Sequence, residues 1–295
     1  MKNTTVKVIR NLLSCQILLF SFMALAQIDG PNSNAPATIN HVNRAVGDVL
    51  FTIPIGFSGT LPVGLDSQIG GGGFLGTELN NAQVGTLTLG GMVTGTFPAV
   101  GNPIGVTTNG TTIWITDSTG DQVHAFNNAG TFQSSFSVAG QTTFPEGIAY
   151  KPSSNTLFVV NGSGGNAVHE YTLTGTLLNS FPVAGSSQDG IAWDGTSFWL
   201  YDSGTDTVTQ YDESFSQVSS FAGTAAAGFG NGEGLAVVAG TIYVVVPGAQ
   251  LAVAFEGIPQ VTIPTLGQAG LIAFITVLML GSLFFMRRRR LQAAA

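Results

Sequence analysis

Three acidic residues occur at regular intervals along the chain, each immediately before a glycine. They are Glu146, Asp189 and Glu233, separated by 43 and 44 residues. Hard cations, Ca²⁺ above all, bind where several carboxylate oxygens converge. Repeats arranged around a common axis would therefore bring these side chains to one Ca²⁺ site. In the alternative interpretation, each carboxylate accepts hydrogen bonds from backbone N–H groups of the adjacent loop. Both interpretations stay open at this point.

The other polar residues indicate turns more than catalysis. Asp117, Asn161 and Asp202 each follow an apolar segment and precede Ser or Gly, which is typical of Asx turns. The chain has three histidines: His41, His124 and His169. Only His169, beside Glu170, hints at the base that a metal-dependent lyase needs. Because nucleophile elbows, P-loops and zinc-ligand spacings are also missing from the sequence, no catalytic residue is assigned.

Five glycines that each open a short apolar segment define an internal repeat. They are Gly64, Gly105, Gly147, Gly190 and Gly234, separated by 41 to 44 residues. Aromatic residues recur at fixed distances behind these glycines, and polar and apolar residues alternate within each unit. Four short strands in one such unit are typical of a propeller blade. The sequence therefore predicts an all-β fold, a five-bladed β-propeller, over residues 46–257.

The two ends of this region predict how the ring closes. The fifth unit supplies only three strands, ending with residues 250–256. Upstream of the first glycine, residues 49–55 are patterned like the fourth strands of the other units. We expect this N-terminal strand to pair with 250–256, because that pairing leaves no unpaired edge at the junction.

The blades resemble a known group of propellers. Residues 113–118 and 198–203, each ending in Asp-Ser, are similar to the second strand and Asp turn of NHL-type repeats and of gluconolactonase and streptogramin-lyase propellers. The segments 123–126 and 208–211 are similar to the third strand. The resemblance covers about 200 residues, although the first unit, with its run of four glycines, departs from the pattern. It implies a propeller fold, with a metal bound in related enzymes at positions equivalent to the three acidic residues.

The N-terminus is typical of a secretory signal peptide. Residues 1–26 contain three basic residues, an apolar stretch, and Ala24 and Ala26 in a small-x-small cleavage pattern. Lipoprotein processing at Cys15 and an uncleaved anchor are the alternatives. Residues 27–45 follow as a flexible segment. Cys15 is the only cysteine, so the mature protein is expected to have no disulfide.

The C-terminus, residues 258–295, is typical of a membrane-spanning tail. Residues 269–286 form an uncharged stretch that is long enough to cross a bilayer as a helix. Four arginines follow and would stay on the cytoplasmic side: Arg287, Arg288, Arg289 and Arg290. The propeller would then lie outside the inner membrane.

The same segment resembles the IPTL-type sorting tails of Gram-negative bacteria. The residues that carry the resemblance are Ile263, Pro264, Thr265, Leu266 and Gly270, followed by the apolar helix and the arginines. It implies recognition by an exosortase-like sorting enzyme at the membrane. It also implies a location that changes from membrane-anchored to cell surface or extracellular.

The excess of acidic residues limits which ligands the protein can bind. Between residues 27 and 286 there are sixteen acidic residues and two basic ones, Arg44 and Lys151. Such a surface repels phosphate backbones, which argues against nucleic-acid binding. With no complete catalytic set visible, the sequence favours a non-enzymatic surface module that binds an extracellular protein or glycan. The alternative is a metal-dependent lyase or lactonase that uses the three carboxylates.

Overall fold

The computed structural model describes residues 44–57, 61–68, 71–162 and 166–257. The predicted signal peptide with Ala24 and Ala26, most of the segment 27–45, and the tail 258–295 with its sorting motif, helix and arginines lie outside these ranges. Within the described ranges, no helix is long and apolar enough to cross a membrane.

Alternating short strands and tight turns fold into five antiparallel sheets of four strands each. Blade 1 consists of β2 (Pro62–Ser67), β3 (Phe74–Glu78), β4 (Gln83–Leu87) and β5 (Val93–Pro98). Blade 2 consists of β6 (Pro103–Thr108), β7 (Thr112–Asp117), β8 (Gln122–Asn127) and β9 (Phe132–Ser137). Blade 3 consists of β10 (Pro145–Lys151), β11 (Thr156–Asn161), β12 (Ala167–Thr172) and β13 (Leu177–Pro182). Blade 4 consists of β14 (Gln188–Trp193), β15 (Phe198–Asp202), β16 (Thr207–Tyr211) and β17 (Gln217–Ala222).

Blade 5 joins the two ends of the propeller region. It consists of β18 (Leu235–Val238), β19 (Thr241–Val246) and β20 (Leu251–Glu256), with β1 (Val49–Pro54) as its fourth strand. Strands β1 and β20 are antiparallel, with Thr52 opposite Val253. The predicted five-bladed propeller and its closure by the N-terminal strand are thus confirmed.

The repeated glycines lie where the five innermost strands approach one another most closely. A β-carbon added to Gly105 would lie 2.3 Å from the carbonyl oxygen of Glu146, and one added to Gly234 would lie 2.4 Å from that of Val63. The backbone N–H of Gly234 donates to the carbonyl of Val63 at 2.8 Å, which ties blade 5 to blade 1. Only a residue without a β-carbon fits at these contacts.

Aromatic side chains on the outer strands hold neighbouring blades together. At three junctions between blades, an aromatic ring of one blade lies within 5.8 Å of a ring on the third strand of the next: Phe97 with Phe126, Phe136 with Tyr171, and Phe221 with Phe255. Such contacts stabilise a fold beyond the apolar area that they bury. The aromatic periodicity in the sequence therefore reports packing between blades.

One turn glycine offers a test of this packing. Gly175, in the β12–β13 turn, has φ +90°, and a β-carbon there would lie 2.4 Å from the ring of Phe136. Gly195 has a similar φ of +104° and no atom within 4 Å of the added carbon. Both Gly→Ala changes strain the backbone, but only Gly175→Ala also displaces an aromatic ring. We expect Gly175→Ala to lower the free energy of unfolding by about 1–3 kcal/mol more than Gly195→Ala does.

Chemical denaturation of both variants measures this difference. Equal losses of stability would show that Phe136 does not hold the blades as described.

Candidate functional site

Two of the predicted site residues lie where an innermost strand begins with an irregular pairing. These strands begin at one end of the central channel, which we call the mouth. In β10 the pairing register shifts between Pro145 and Ile148, and in β14 it shifts between Gln188 and Gly190. Glu146 and Asp189 lie within these bulges. A bulge turns a side chain away from the direction that regular pleating would give it. Both residues therefore belong to the strands themselves, whereas the sequence placed them just before the strands.

The three acidic residues of blades 3, 4 and 5 meet at this mouth. Glu146, Asp189 and Glu233 each offer one carboxylate oxygen, and these oxygens lie within 4.8 Å of one another. Glu146 and Asp189 are buried, and Glu233 is half-buried. We call these three residues the carboxylate cluster. At the equivalent positions, blades 1 and 2 have the buried apolar residues Val63 and Ile104, so the mouth is acidic on one side and apolar on the other.

Hydrogen bonds explain only part of the cluster. Asp189 Oδ2 accepts from the backbone N–H of Ser203 at 2.7 Å, as the loop-capping interpretation predicts. Glu146 behaves differently, because its Oε2 is buried and has no hydrogen-bond partner among the described residues. A buried carboxylate oxygen without a donor is costly. An oxygen of this kind points to a proton or a cation that bridges the cluster.

Gly162, at the end of β11, makes room for the Glu146 side chain. A β-carbon added to Gly162 would lie 2.2 Å from the carboxyl carbon of Glu146. The carbonyl oxygen of Gly162 accepts a hydrogen bond from Ser187 Oγ at 2.7 Å, and the same hydroxyl lies 3.4 Å from Asp189 Oδ1. The bond between Gly162, just after β11, and Ser187, just before β14, thus links the two blades that carry Glu146 and Asp189.

Burial disfavours negative charge at all three positions. Loss of hydration raises the pKa of Glu146, and the nearby Asp189 and Glu233 raise it further. Burial also raises the pKa of Asp189. Burial, together with the charge of Asp189, raises the pKa of Glu233 to about 7. A bound divalent cation would offset the cost of burying these negative charges. The donor set consists of oxygens only, which suits Ca²⁺.

The remaining polar residues of the sequence analysis lie elsewhere. His124 Nε2 lies 3.3 Å from Asp117 Oδ2, and His169 Nδ1 lies 2.9 Å from Ser180 Oγ. His169 is on the third strand of blade 3, two strand spacings (about 10 Å) from the innermost strand. The idea that it acts as a base beside the metal therefore lacks support. Asp202 accepts backbone hydrogen bonds from neighbouring loops, in keeping with a turn role.

A second polar feature, not predicted from the sequence, lies at the other end of the innermost strands. A cavity of about 350 Å³ lies there, and Asp66, Thr107 and Trp193 are among its lining residues. The cavity contains no residue of the carboxylate cluster. Asp66 is two positions after its blade glycine, where blades 3 and 4 have Ala149 and Ala192. This acidic residue at a position where other blades have alanine was the sequence feature that could have indicated the cavity.

Comparison with known proteins supports the fold. No family model and no curated protein matches the chain. The solved structure of Myxococcus xanthus glutaminyl cyclase is similar with a TM-score of 0.58 and 14% identity, over 73% of this chain and 98% of that one. Virginiamycin B lyase from Staphylococcus aureus is similar with a TM-score of 0.46 and 17% identity, over 67% and 66%. A streptogramin B lyase has a TM-score of 0.46 and 16% identity, over 69% and 67%.

These comparisons correct one prediction. The Myxococcus xanthus glutaminyl cyclase, whose structure is similar with a TM-score above 0.5, is an enzyme. The prediction of a non-enzymatic binding module is therefore wrong and is withdrawn. At this level of identity the similarity shows the propeller fold, and the reactions named belong to those proteins.

The raised pKa values predict how stability depends on pH in metal-free protein. Each cluster carboxyl has a folded-state pKa above its usual value of 3.8 or 4.5. The folded state thus binds protons more tightly than the unfolded chain. This contribution to stability is fully present below about pH 4 and falls as the pH rises; for Glu233 it is lost as the pH passes through its folded pKa of about 7. In EDTA, we expect Glu146→Gln to be more stable than the wild type at pH 8, with a smaller difference at pH 5.

Thermal unfolding of both proteins at the two pH values measures this difference. Glu213→Gln is the matched control for the loss of one carboxylate, because Glu213 is exposed and forms its ion pair with the buried Lys151, outside the carboxylate cluster. If Glu146→Gln and wild type show the same pH profile, the cluster does not titrate as described.

Proposed function

We propose that this chain is an exported propeller enzyme that hydrolyses lactones or related carboxylic esters at the carboxylate cluster with the help of a bound Ca²⁺ ion. The observation that carries the proposal is the convergence of three carboxylate oxygens within 4.8 Å, at a site where Glu146 Oε2 is buried and has no hydrogen-bond partner among the described residues.

The geometry of the cluster fits a calcium ion. Ca²⁺ lies about 2.3–2.6 Å from its oxygen ligands, so two ligand oxygens on opposite sides of one ion are about 5 Å apart. The observed span of 4.8 Å falls within that limit. Glu146, Asp189 and Glu233 would hold the ion, and water and substrate oxygens would complete its coordination. When bound, the ion supplies a Lewis acid that polarises a carbonyl oxygen.

The residues at the mouth would have separate roles in the reaction. Glu233 is the most exposed of the three carboxylates, so it is placed to accept a proton from an attacking water molecule. The backbone N–H of Ser203 orients the Asp189 carboxylate. The absence of a side chain at Gly162 leaves room for the Glu146 carboxyl group. Val63 and Ile104, on the apolar side, would contact the hydrocarbon part of a substrate and exclude water.

Hydrolysis fits these residues better than elimination does. His124 and His169 lie on third strands and bond to residues of their own blades. The proton-accepting groups at the mouth, among the described residues, are carboxylates. A carboxylate suffices as base when water attacks a polarised ester carbonyl, and no histidine among the described residues lies at the mouth to act as the base of a lyase reaction.

The test is calcium-dependent turnover of a panel of lactones and aryl esters. We expect EDTA to abolish activity of the full chain and Ca²⁺ to restore it, with a product heavier by one water molecule. At a saturating Ca²⁺ concentration, which offsets the loss of one calcium ligand, Glu233→Gln should lower kcat by about 100-fold or more with little change in KM. Gly162→Ala should raise the Ca²⁺ concentration needed for activity, because the added carbon displaces Glu146.

Glu213→Gln is the matched control and should leave turnover unchanged. Calcium binding without turnover of any ester would make the site structural and would contradict the proposal. A product of unchanged mass would show elimination and would also contradict it.

We also propose that both termini direct the protein to the cell surface. The support is in the sequence: Ala24 and Ala26 follow an apolar stretch, and the IPTL-like segment precedes four arginines. An exosortase-like enzyme would cut within the tail after export through the inner membrane.

Intact-mass measurement of native surface material tests this location. We expect a protein that begins at Gln27 and lacks the arginine block, because both ends are removed during export. A protein that retains Arg287 to Arg290 would refute processing of the tail.

A further inference from the structure

The cavity at the far end of the innermost strands is a separate compartment. The five blade glycines line a central void of only about 10 Å³. That volume is at the lower limit for one water molecule. Small molecules therefore cannot pass from the carboxylate cluster to the 350 Å³ cavity, and anything bound in the cavity enters from its own face.

All five blades contribute to this cavity. The second half of each innermost strand provides lining residues, among them Asp66, Thr107, Tyr150, Trp193 and Val238. The volume falls in the range typical of small-molecule sites, about 300–1,000 Å³. Its lining combines aromatic and apolar side chains with a few polar groups, among them Asp66 and Asp194, which is also typical of such sites.

Asp66 is held in place by a relay across three blades. The N–H of Tyr150 in blade 3 donates to Thr107 Oγ1 at 3.1 Å. Thr107 in blade 2 in turn donates its hydroxyl hydrogen to Asp66 Oδ2 at 2.7 Å. The N–H of Ser67 donates to Asp66 Oδ1 at 2.7 Å. A hydroxyl has a single hydrogen, so the relay fixes Asp66 as the acceptor and orders its carboxylate before any ligand arrives.

The negative charge of Asp66 is not balanced within the described residues. The ion pairs there are Lys151 with Glu213 and His124 with Asp117, and neither involves Asp66. Burial raises the pKa of Asp66 to about 7, as expected for a carboxyl without a cationic neighbour. A cation in the cavity would remove this penalty.

The other charged groups around the cavity have partners. Asp194 accepts hydrogen bonds from Thr196, Ser197 and the indole N–H of Trp199. The Lys151 ammonium lies 5.0 Å from the centre of the Trp193 ring while paired with Glu213. That contact shows an indole at this face already stabilising an ammonium group. Asp66 is therefore the carboxylate available for a ligand.

We propose that this cavity is a second ligand site, which binds a small organic ammonium compound with a flat apolar body. The ammonium group pairs with Asp66, and the apolar body lies against the aromatic wall formed by Trp193 and Tyr150. The acidic surface of the propeller, with sixteen acidic and two basic residues between positions 27 and 286, attracts such cations and repels anions.

Calorimetric titration of the full chain with 2-phenylethylamine at pH 8 tests the proposal. The neutral 2-phenylethanol and the anionic phenylacetate are probes of nearly the same shape. We expect saturable binding of the amine, with the alcohol about tenfold weaker or more and phenylacetate not bound. Equal binding of amine and alcohol, or no saturable binding of the amine, would overturn the proposal.

Variants separate the site from a general attraction to an acidic protein. Asp66→Asn keeps the shape and should weaken amine binding about tenfold or more. Thr107→Val keeps the carboxylate but removes its orienting hydroxyl, and it should weaken binding by a smaller factor. Asp121→Asn removes the same charge from the β7–β8 turn and should bind like the wild type. Equal weakening by Asp66→Asn and Asp121→Asn would show attraction by net charge alone and would overturn the proposal.

Glu146→Gln shows that the two sites are distinct. This variant should bind 2-phenylethylamine with wild-type affinity, because the central void separates it from the cavity. Loss of amine binding in Glu146→Gln would place the amine at the carboxylate cluster and would refute a second site.

Discussion

The close approach of five backbone segments around one axis determines what this molecule can do. Gly105 lies against the carbonyl of Glu146, and Gly234 against that of Val63, at distances that leave no space for a side chain. The ring can close only with glycine at these positions. Once it closes, residues just before each glycine meet at one mouth and residues two positions after it meet at the other. Function then depends on which side chains occupy these two sets of positions.

Both mouths carry negative charge that the fold does not neutralise. Glu146 has a buried oxygen without a hydrogen-bond donor, and Asp66 has donors but no cationic partner among the described residues. Such groups lower the stability of a protein, and they are commonly found where function requires them. At the first mouth three carboxylates converge, which suits a divalent metal. At the second, Asp66 lines a cavity together with the aromatic side chains of Tyr150 and Trp193, which suits an organic cation. The two mouths therefore call for different ligands.

The regular repeat allowed the meeting of the three acidic residues and the closure of the ring to be predicted from the sequence. Regular spacing of Gly147, Gly190 and Gly234 predicted that the acids before them would meet, because equivalent positions in a ring face the same axis. The unpaired segment near Val49 predicted closure, because every blade needs a fourth strand. The Asp66 cavity was not predicted, since blade 1 departs from the repeat and a cavity depends on loops whose packing is not periodic. The non-enzymatic prediction was wrong because it required a complete catalytic motif, whereas here the charged groups come from separate blades.

Anomalous diffraction from crystals of the full chain grown with Ca²⁺ tests the central claim most directly. The account predicts one calcium peak at the channel mouth, about 2.3–2.6 Å from an oxygen of each of Glu146, Asp189 and Glu233. If the mouth holds no peak, or the three carboxylates point to different places, the ring does not assemble a metal site and the account is wrong.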